Sequence, residues 1–242
     1  MDEKAFAGYT SHMTGSETLL ARGLAALEIE FDGPARESLR LYVDEIEDWN
    51  PAYGLVAASG DDLIVKHILD SLAPWRIIQD TLARIDADRP AGIPAAVSDI
   101  GTGAGLPGIP LSIVLKDREF RLIERMGRRI IFLRRQKDVL GLDNVAVLES
   151  EAEKAKVPHD LVVFRAFRPF SEYKLFRKIW KSIVPGGWLV AYKGKRAVAS
   201  QELAGLASDP ILGPGLAEAE IRPVWVPFLE EERCVVIARK SP

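Results

Sequence analysis

The feature that most constrains this chain is a glycine-dense turn, Ser98-Asp99-Ile100-Gly101-Thr102-Gly103-Ala104-Gly105-Leu106-Pro107-Gly108, set between an apolar strand and a helix. Ala96 to Ile100 reads as a short strand, and Pro107 to Leu115 as the helix that leaves the turn. Downstream, strands at 120–124, 145–148, 161–164 and 188–192 alternate with helices at Arg128–Leu140, Glu172–Ile183 and Arg196–Ala207. A last strand pair is read at 224–226 and 234–237, around the charged turn Glu230 to Arg233. Repeated strand–helix units close into a parallel sheet with helices on both faces, because each crossover lays its helix over one face.

The first 90 residues carry helical spacing instead. Ser16 can cap a segment through Leu19, Leu20, Leu24 and Leu27; Pro34 opens a second through Leu39, Tyr42, Val43, Ile46 and Trp49, which Asn50-Pro51 should break. A third starts near Asp61 and runs to Leu72 or beyond, with Pro74 as a kink. Asp88 to Pro94 is the linker, so the expected division is a helical extension, 1–94, and one compact core, 95–242. A chain of 242 residues, 48% hydrophobic, can fill such a core without staples. The single cysteine, Cys234, excludes an internal disulfide, and the longest uncharged stretch, Ile100 to Leu115, is broken by four Gly and two Pro and makes no membrane helix. The start, Met1 to Phe6, has no apolar run of a secretory signal, and the expectation is a cytoplasmic monomer.

Glycines in a strand–turn–helix context let a nucleotide approach the backbone at the carboxyl ends of the strands. Glu124, at the end of the next strand and 21 residues after Gly103, can accept both hydroxyls of an unphosphorylated ribose. Two cofactors compete. Gly103 to Gly108 fits the G-x-G-x-x-G pattern of nicotinamide enzymes. S-adenosyl-L-methionine (SAM) uses a similar loop and acid, and three features favour it. Asp99 suits a cationic cofactor and repels a pyrophosphate; Pro185-Gly186-Gly187-Trp188-Leu189 and the late strand pair suit a seven-stranded methyltransferase sheet; little chain remains for a hydride-acceptor domain.

The net charge of −3 hides an asymmetry. Between Lys116 and Ser200 stand 20 Lys and Arg against 10 Asp and Glu, leaving 12 against 25 elsewhere. A one-signed surface beside a cleft attracts a polyanion, of which nucleic acid is the commonest; a solvated helix face is the bland alternative.

At these residues the chain resembles the bacterial RsmG (GidB) methyltransferases of small-subunit ribosomal RNA. The resemblance runs roughly from Leu39 to Gly194. It is carried by Trp49-Asn50-Pro51-Ala52-Tyr53-Gly54-Leu55, Lys66-His67-Ile68-Leu69-Asp70-Ser71-Leu72, Asp99 to Leu111, Arg165-Ala166-Phe167-Arg168-Pro169 and Lys193-Gly194-Lys195. It implies a seven-stranded class I SAM-dependent methyltransferase (Rossmann-like) sheet with an N-terminal helical extension, and methylation of guanine N7 at position 527 of 16S rRNA. The cofactor residues it implies are Gly101, Leu106, Glu124, Ala152, Glu153 and Arg165, to which the loop itself adds Asp99, Gly103 and Gly105. Gly54, Arg125 and Arg168 depart from the family's usual residues.

Guanine N7 carries an in-plane lone pair and no proton, so no essential acid–base residue is expected; Arg165 is the candidate for orienting the base. His67, between apolar neighbours on a helix, reads as a packed histidine rather than a base. With His12, His67, His159 and one cysteine, no metal site is expected. Arg125, Arg128, Arg129, Arg168, Lys193 and Lys195 are the candidates for RNA contact. The rivals are an NAD-dependent oxidoreductase and a non-catalytic ribosome-assembly factor.

Overall fold

The computed structural model describes residues 15–30, 33–89 and 92–241. The acidic start, His12, the Ser16 capping side chain and part of the 88–94 linker lie outside what it describes.

Five strands follow the predicted alternation: β1 (Val97–Ile100), β2 (Phe120–Glu124), β3 (Val145–Glu149), β4 (His159–Arg165) and β5 (Ile183–Lys193). With β6 (Glu220–Val224) and β7 (Arg233–Arg239) they form one sheet in the order β3-β2-β1-β4-β5-β7-β6. β1 to β5 pair in parallel, and β7 enters antiparallel between β5 and β6. The order reverses between β1 and β4, so a crevice opens at the carboxyl ends of these two strands. β1 is buried along its whole length, as a central parallel strand covered on both faces must be.

The helices before and between the strands are α1 (Gly15–Ala26), α2 (Gly33–Tyr53), α3 (Gly60–Leu63), α4 (Asp70–Leu72), α5 (Trp75–Ala87), α6 (Gly108–Val114) and α7 (Gly127–Val139). α8 (Tyr173–Ser182), α9 (Arg196–Leu206) and α10 (Leu212–Leu216) complete them. Strand residues alternate between two apolar clusters. Val97, Phe120, Leu161, Val163 and Val235 join Leu20, Tyr42, Ile46, Ile68 and Leu72 on one face; Ile100, Ile123, Val162, Phe164 and Val236 join Phe176, Ile179, Trp180 and Leu206 on the other. The helical extension therefore shares its core with the sheet. Polar ties reinforce it: the buried Tyr42 hydroxyl donates to the Ala104 carbonyl at 2.7 Å, and Arg135 clamps Glu45 with two bonds of 2.8 Å.

Three expectations need correction. α2 does not break at Asn50-Pro51 but continues to Tyr53. A proline in the last turn removes one backbone bond, and the Trp49 and Tyr53 rings, 4.6 Å apart, hold that turn while Gly54 NH bonds the Asn50 carbonyl at 2.9 Å. The third helix is not regular: Ile64–Leu69 forms a π-helical turn between α3 and α4. The first strand of the late pair lies at 220–224, not 224–226. Its charges and Pro223 are tolerated because it is an edge strand, while Trp225 stands 64% exposed beyond it.

Candidate active site

The glycine turn works by close packing. A Cβ on Gly108 would lie 2.3 Å from a Leu122 methyl and 2.8 Å from Asp99 Oδ2, so only glycine lets α6 start against β1 and β2. Gly101 takes φ +66°, and its NH donates to the Ile123 carbonyl at 2.8 Å, turning the chain at the strand end.

Asp99 sits fully buried beneath this turn. Its Oδ2 accepts from the Thr102 hydroxyl at 2.5 Å and from Gly108 NH at 2.8 Å; Oδ1 is buried without a partner. Burial pushes its pKa up to about 7, against the two hydrogen bonds that pull it down. The first backbone NH of α6 is thus already taken by a carboxylate. A helix start that would hold a pyrophosphate in a dinucleotide enzyme is closed here.

The first cavity, about 400 Å³, opens over the ends of β1, β2 and β3. Gly101, Glu124, Arg125, Arg129, Ala152 and Glu153 line it, with Ala166 to Arg168 as its far wall. Glu124 is 4% exposed. Its Oε1 accepts from Arg125 NH and Met126 NH at 2.8 and 2.9 Å, and its Oε2 from Gly103 NH at 3.1 Å, with Arg129 Nη1 at 3.5 Å. Each carboxylate oxygen has two lone pairs, so Oε2 keeps an acceptor position for a ribose hydroxyl. Ala152 and Glu153 lie on a short 3₁₀ turn, Ala152–Lys154, after β3. A cavity of this size, acidic at the strand end and closed to phosphate at the helix start, fits SAM.

A second cavity, about 510 Å³, lies on the other side of the same wall, over the ends of β4 and β5 and the start of β7. Ala166, Phe167 and Arg168 border both cavities. Arg165 lines this second one. Its Nη1 donates to the Lys66 carbonyl and to Asp70 Oδ2, both at 3.1 Å, and its Nη2 lies 2.7 Å from His67 Nδ1. Asp70 also meets Arg233 Nε at 3.2 Å. Burial raises the Asp70 pKa, opposed by the two guanidiniums; burial and the neighbouring Arg165 hold His67 down at about 4. His67 is therefore neutral at pH 7, and its Nδ1 is engaged by Arg165.

The structure thus gathers Gly101, Glu124, Ala152 and Glu153 at one cavity, with Arg125 and Arg129 at its mouth. It does not bring Asp99, Gly105, Leu106 or Arg165 there. Asp99, Gly105 and Leu106 are buried under the loop they shape, and Arg165 is tied to the π turn. Gly103 reaches the site through its bond to Glu124. Of the RNA candidates, Arg125, Arg128, Arg168 and Lys195 are exposed. Arg128 lies 5.4 Å over the Tyr53 ring and donates to the Ala52 carbonyl. Arg168 pairs with Glu172 at 3.2 Å. Lys193 is not a free surface cation: its ammonium is 2.5 Å from Glu202 and 3.9 Å over the Phe170 ring. The sequence gives no role to Arg233, nor to Asp70 although it stands in the 66–72 motif; the fold brings both beside Arg165. Among the described residues no helix is long and apolar enough to cross a membrane, and no group of three His, Cys, Asp or Glu could hold a metal.

The family model described as rRNA small subunit methyltransferase G (GidB) matches residues 35–208. The ribosomal RNA small subunit methyltransferase G of Treponema denticola is 32% identical over 93% of this chain and 95% of its own length. That of Cronobacter sakazakii is 35% identical over 85% of this chain and 89% of its own. Among solved structures, the human methyltransferase 10 domain containing protein superposes with a TM-score of 0.55 at 13% identity, covering 83% of this chain and 97% of that one, a likeness of fold.

Proposed function

The chain belongs to the rRNA small subunit methyltransferase G (GidB) family, and on that premise we propose that it methylates N7 of the guanine at position 527 of 16S ribosomal RNA in the cytoplasm, using SAM. The observation that carries this reading is the first cavity. Its ribose acid stands at the end of β2, and Asp99 occupies the first backbone NH of the adjoining helix, which leaves that NH unavailable to the pyrophosphate of a nicotinamide cofactor.

When bound, SAM supplies an electrophilic methyl group on a positively charged sulfur. Everything else falls to the chain's own residues. Glu124 would receive a ribose hydroxyl, the Gly101 turn would floor the cofactor site, and Ala152 and Glu153 would border the adenine. N7 needs no deprotonation, so no side chain has to move a proton. The protein's contribution is alignment, worth about 7–11 kcal/mol when reacting atoms are well placed. Arg165 acts as a positioning residue, holding the π turn of the extension against the end of β4. Arg125, Arg128, Arg168 and Lys195 form the exposed basic rim for RNA.

Transfer of labelled methyl from SAM to small ribosomal subunits that lack the modification, with the modified base mapped, tests the proposal. Label at one guanine N7 is the expected result. Intact SAM binding with no transfer to the subunit would leave the assembly-factor alternative in its place.

A further inference from the structure

Two cavities separated by one short wall pose a question that the cofactor site alone does not answer. The first is built from the ends of β1, β2 and β3; the second from the ends of β4 and β5 and the start of β7. They meet at residues 166–168, on the β4 side of the point where the strand order reverses. Ala166, at φ +49°, turns the chain sharply just before Phe167. The Phe167 ring then packs on Gly101 so closely that a Cβ there would lie 2.4 Å from Phe167 Cδ2. Behind it stand Phe164 and Phe176, with ring centroids at 5.6 and 6.4 Å. The ring is only half-buried by this cluster and borders both cavities.

The second cavity has the make-up of a nucleobase pocket. The half-buried Phe167 ring supplies an apolar wall over the buried Phe164 and Tyr192, and Asp70, Arg165, Glu202 and Arg233 border the cavity as polar groups. An enzyme that alters a base must take it out of its stack and shelter both its faces again. Stacking leaves the edges of a purine free, and N7 lies on an edge. A guanine laid on the Phe167 face can turn its N7 edge past the rim of that ring toward the first cavity, because the ring borders both.

We propose that the second cavity receives the target guanine, and that Phe167 is the surface on which the base stacks while its N7 edge faces the cofactor. This rests on the methyltransferase reading, which is checked first in the wild-type chain: failure there appears as absent transfer before any variant is made.

With an active wild type, the test compares F167L, F167W and F167A by kcat and KM for small subunits, SAM affinity by calorimetry, and thermal midpoint. Loss of one stacked base lowers kcat/KM by about 5- to 150-fold. The expected pattern is that loss in F167L and F167A, with SAM affinity within about twofold of wild type, and recovery in F167W, which restores an aromatic face. A purely structural role predicts the reverse, since F167L keeps apolar volume while the larger tryptophan does not. An F167L rate within twofold of wild type overturns the proposal, as does an equal loss of SAM affinity and rate. V224W tests the cavity without touching the wall: Val224 is half-buried at its edge, and the larger ring should lower kcat/KM at unchanged SAM affinity. An unchanged kcat/KM in V224W counts against the cavity as the base site.

Discussion

The two cavities hold their charges in opposite ways. At the first, the Glu124 carboxylate is fixed by the backbone NH groups of Gly103, Arg125 and Met126, all within 21 residues of it. At the second, Asp70, Arg165 and Arg233 come from the start of α4, a strand end and a late hairpin, and they are held largely by one another. A charge held by backbone amides loses little when a neighbouring side chain changes. A charge held by other charges is stranded when one of them goes.

The largest expected effect follows from that contrast. D70A leaves two guanidiniums at a site where the removed side chain was 8% exposed. Breaking a buried pair in this way costs about 3–5 kcal/mol. For a chain of this length that lowers the thermal midpoint by roughly 6–20 °C. Calorimetry measures it, and a shift below about 2 °C would show that solvent already compensates these guanidiniums.

E124A should act on binding more than on stability. A hydrogen bond to a charged group contributes about 1.5–3 kcal/mol, so SAM affinity should fall about 10- to 150-fold. The thermal midpoint without cofactor should move less than in D70A. If D70A weakens SAM binding as much as E124A does, the two cavities do not hold their charges independently.

This contrast also explains what could be read from the sequence. The glycine loop, its ribose acid and the five parallel strands are local patterns: spacing fixes which residues turn, which strand ends, and which carboxylate stands one strand away. Asp99 is expected to face the cofactor and instead lies under the loop, because spacing does not show that Oδ2 is used by Thr102 and Gly108. The resemblance implies Arg165 as a cofactor residue after β4. Only the packing of the helical extension shows that Lys66, His67 and Asp70 claim its guanidinium. The π turn has no sequence signature. Strand β6 was shifted because Glu220-Ile221-Arg222-Pro223 lacks the apolar run of a central strand, and its edge position is a property of the sheet.

Titration should separate the two regions with opposite signs. Folded Asp99 keeps its proton up to about pH 7, whereas the unfolded carboxyl loses it near 3.8. Its burial therefore costs more as pH rises from about 4 to 7, and nothing further above that. Folded His67 stays neutral down to about 4 while the unfolded imidazole takes a proton below 6.5, so its burial costs more as pH falls through that window. Urea unfolding at pH 4.5, 5.5 and 6.5 checks both. The stability of D99N relative to wild type should rise with pH, and that of H67N should fall. Parallel trends in the two variants would remove the distinction.

The smallest effects lie at the rim, where two lysines two residues apart should behave differently. Lys195 precedes α9 with an exposed side chain, so K195A should weaken binding to the small subunit slightly and reduce the salt slope of log affinity by about 0.7–0.9, the release of one counterion. Lys193 has its ammonium between Glu202 and the Phe170 ring, with the side chain 13% exposed. K193A should leave the salt slope unchanged, because that charge is neutralised within the protein before any phosphate arrives. Its cost should appear instead as a lower thermal midpoint, since among the described residues Glu202 is left with the weak 3.3 Å bond from Phe170 NH. A salt slope that falls equally in both variants would mean that the Lys193–Glu202 pair opens on the ribosome, and that the second cavity carries one more cation toward RNA than its resting geometry offers.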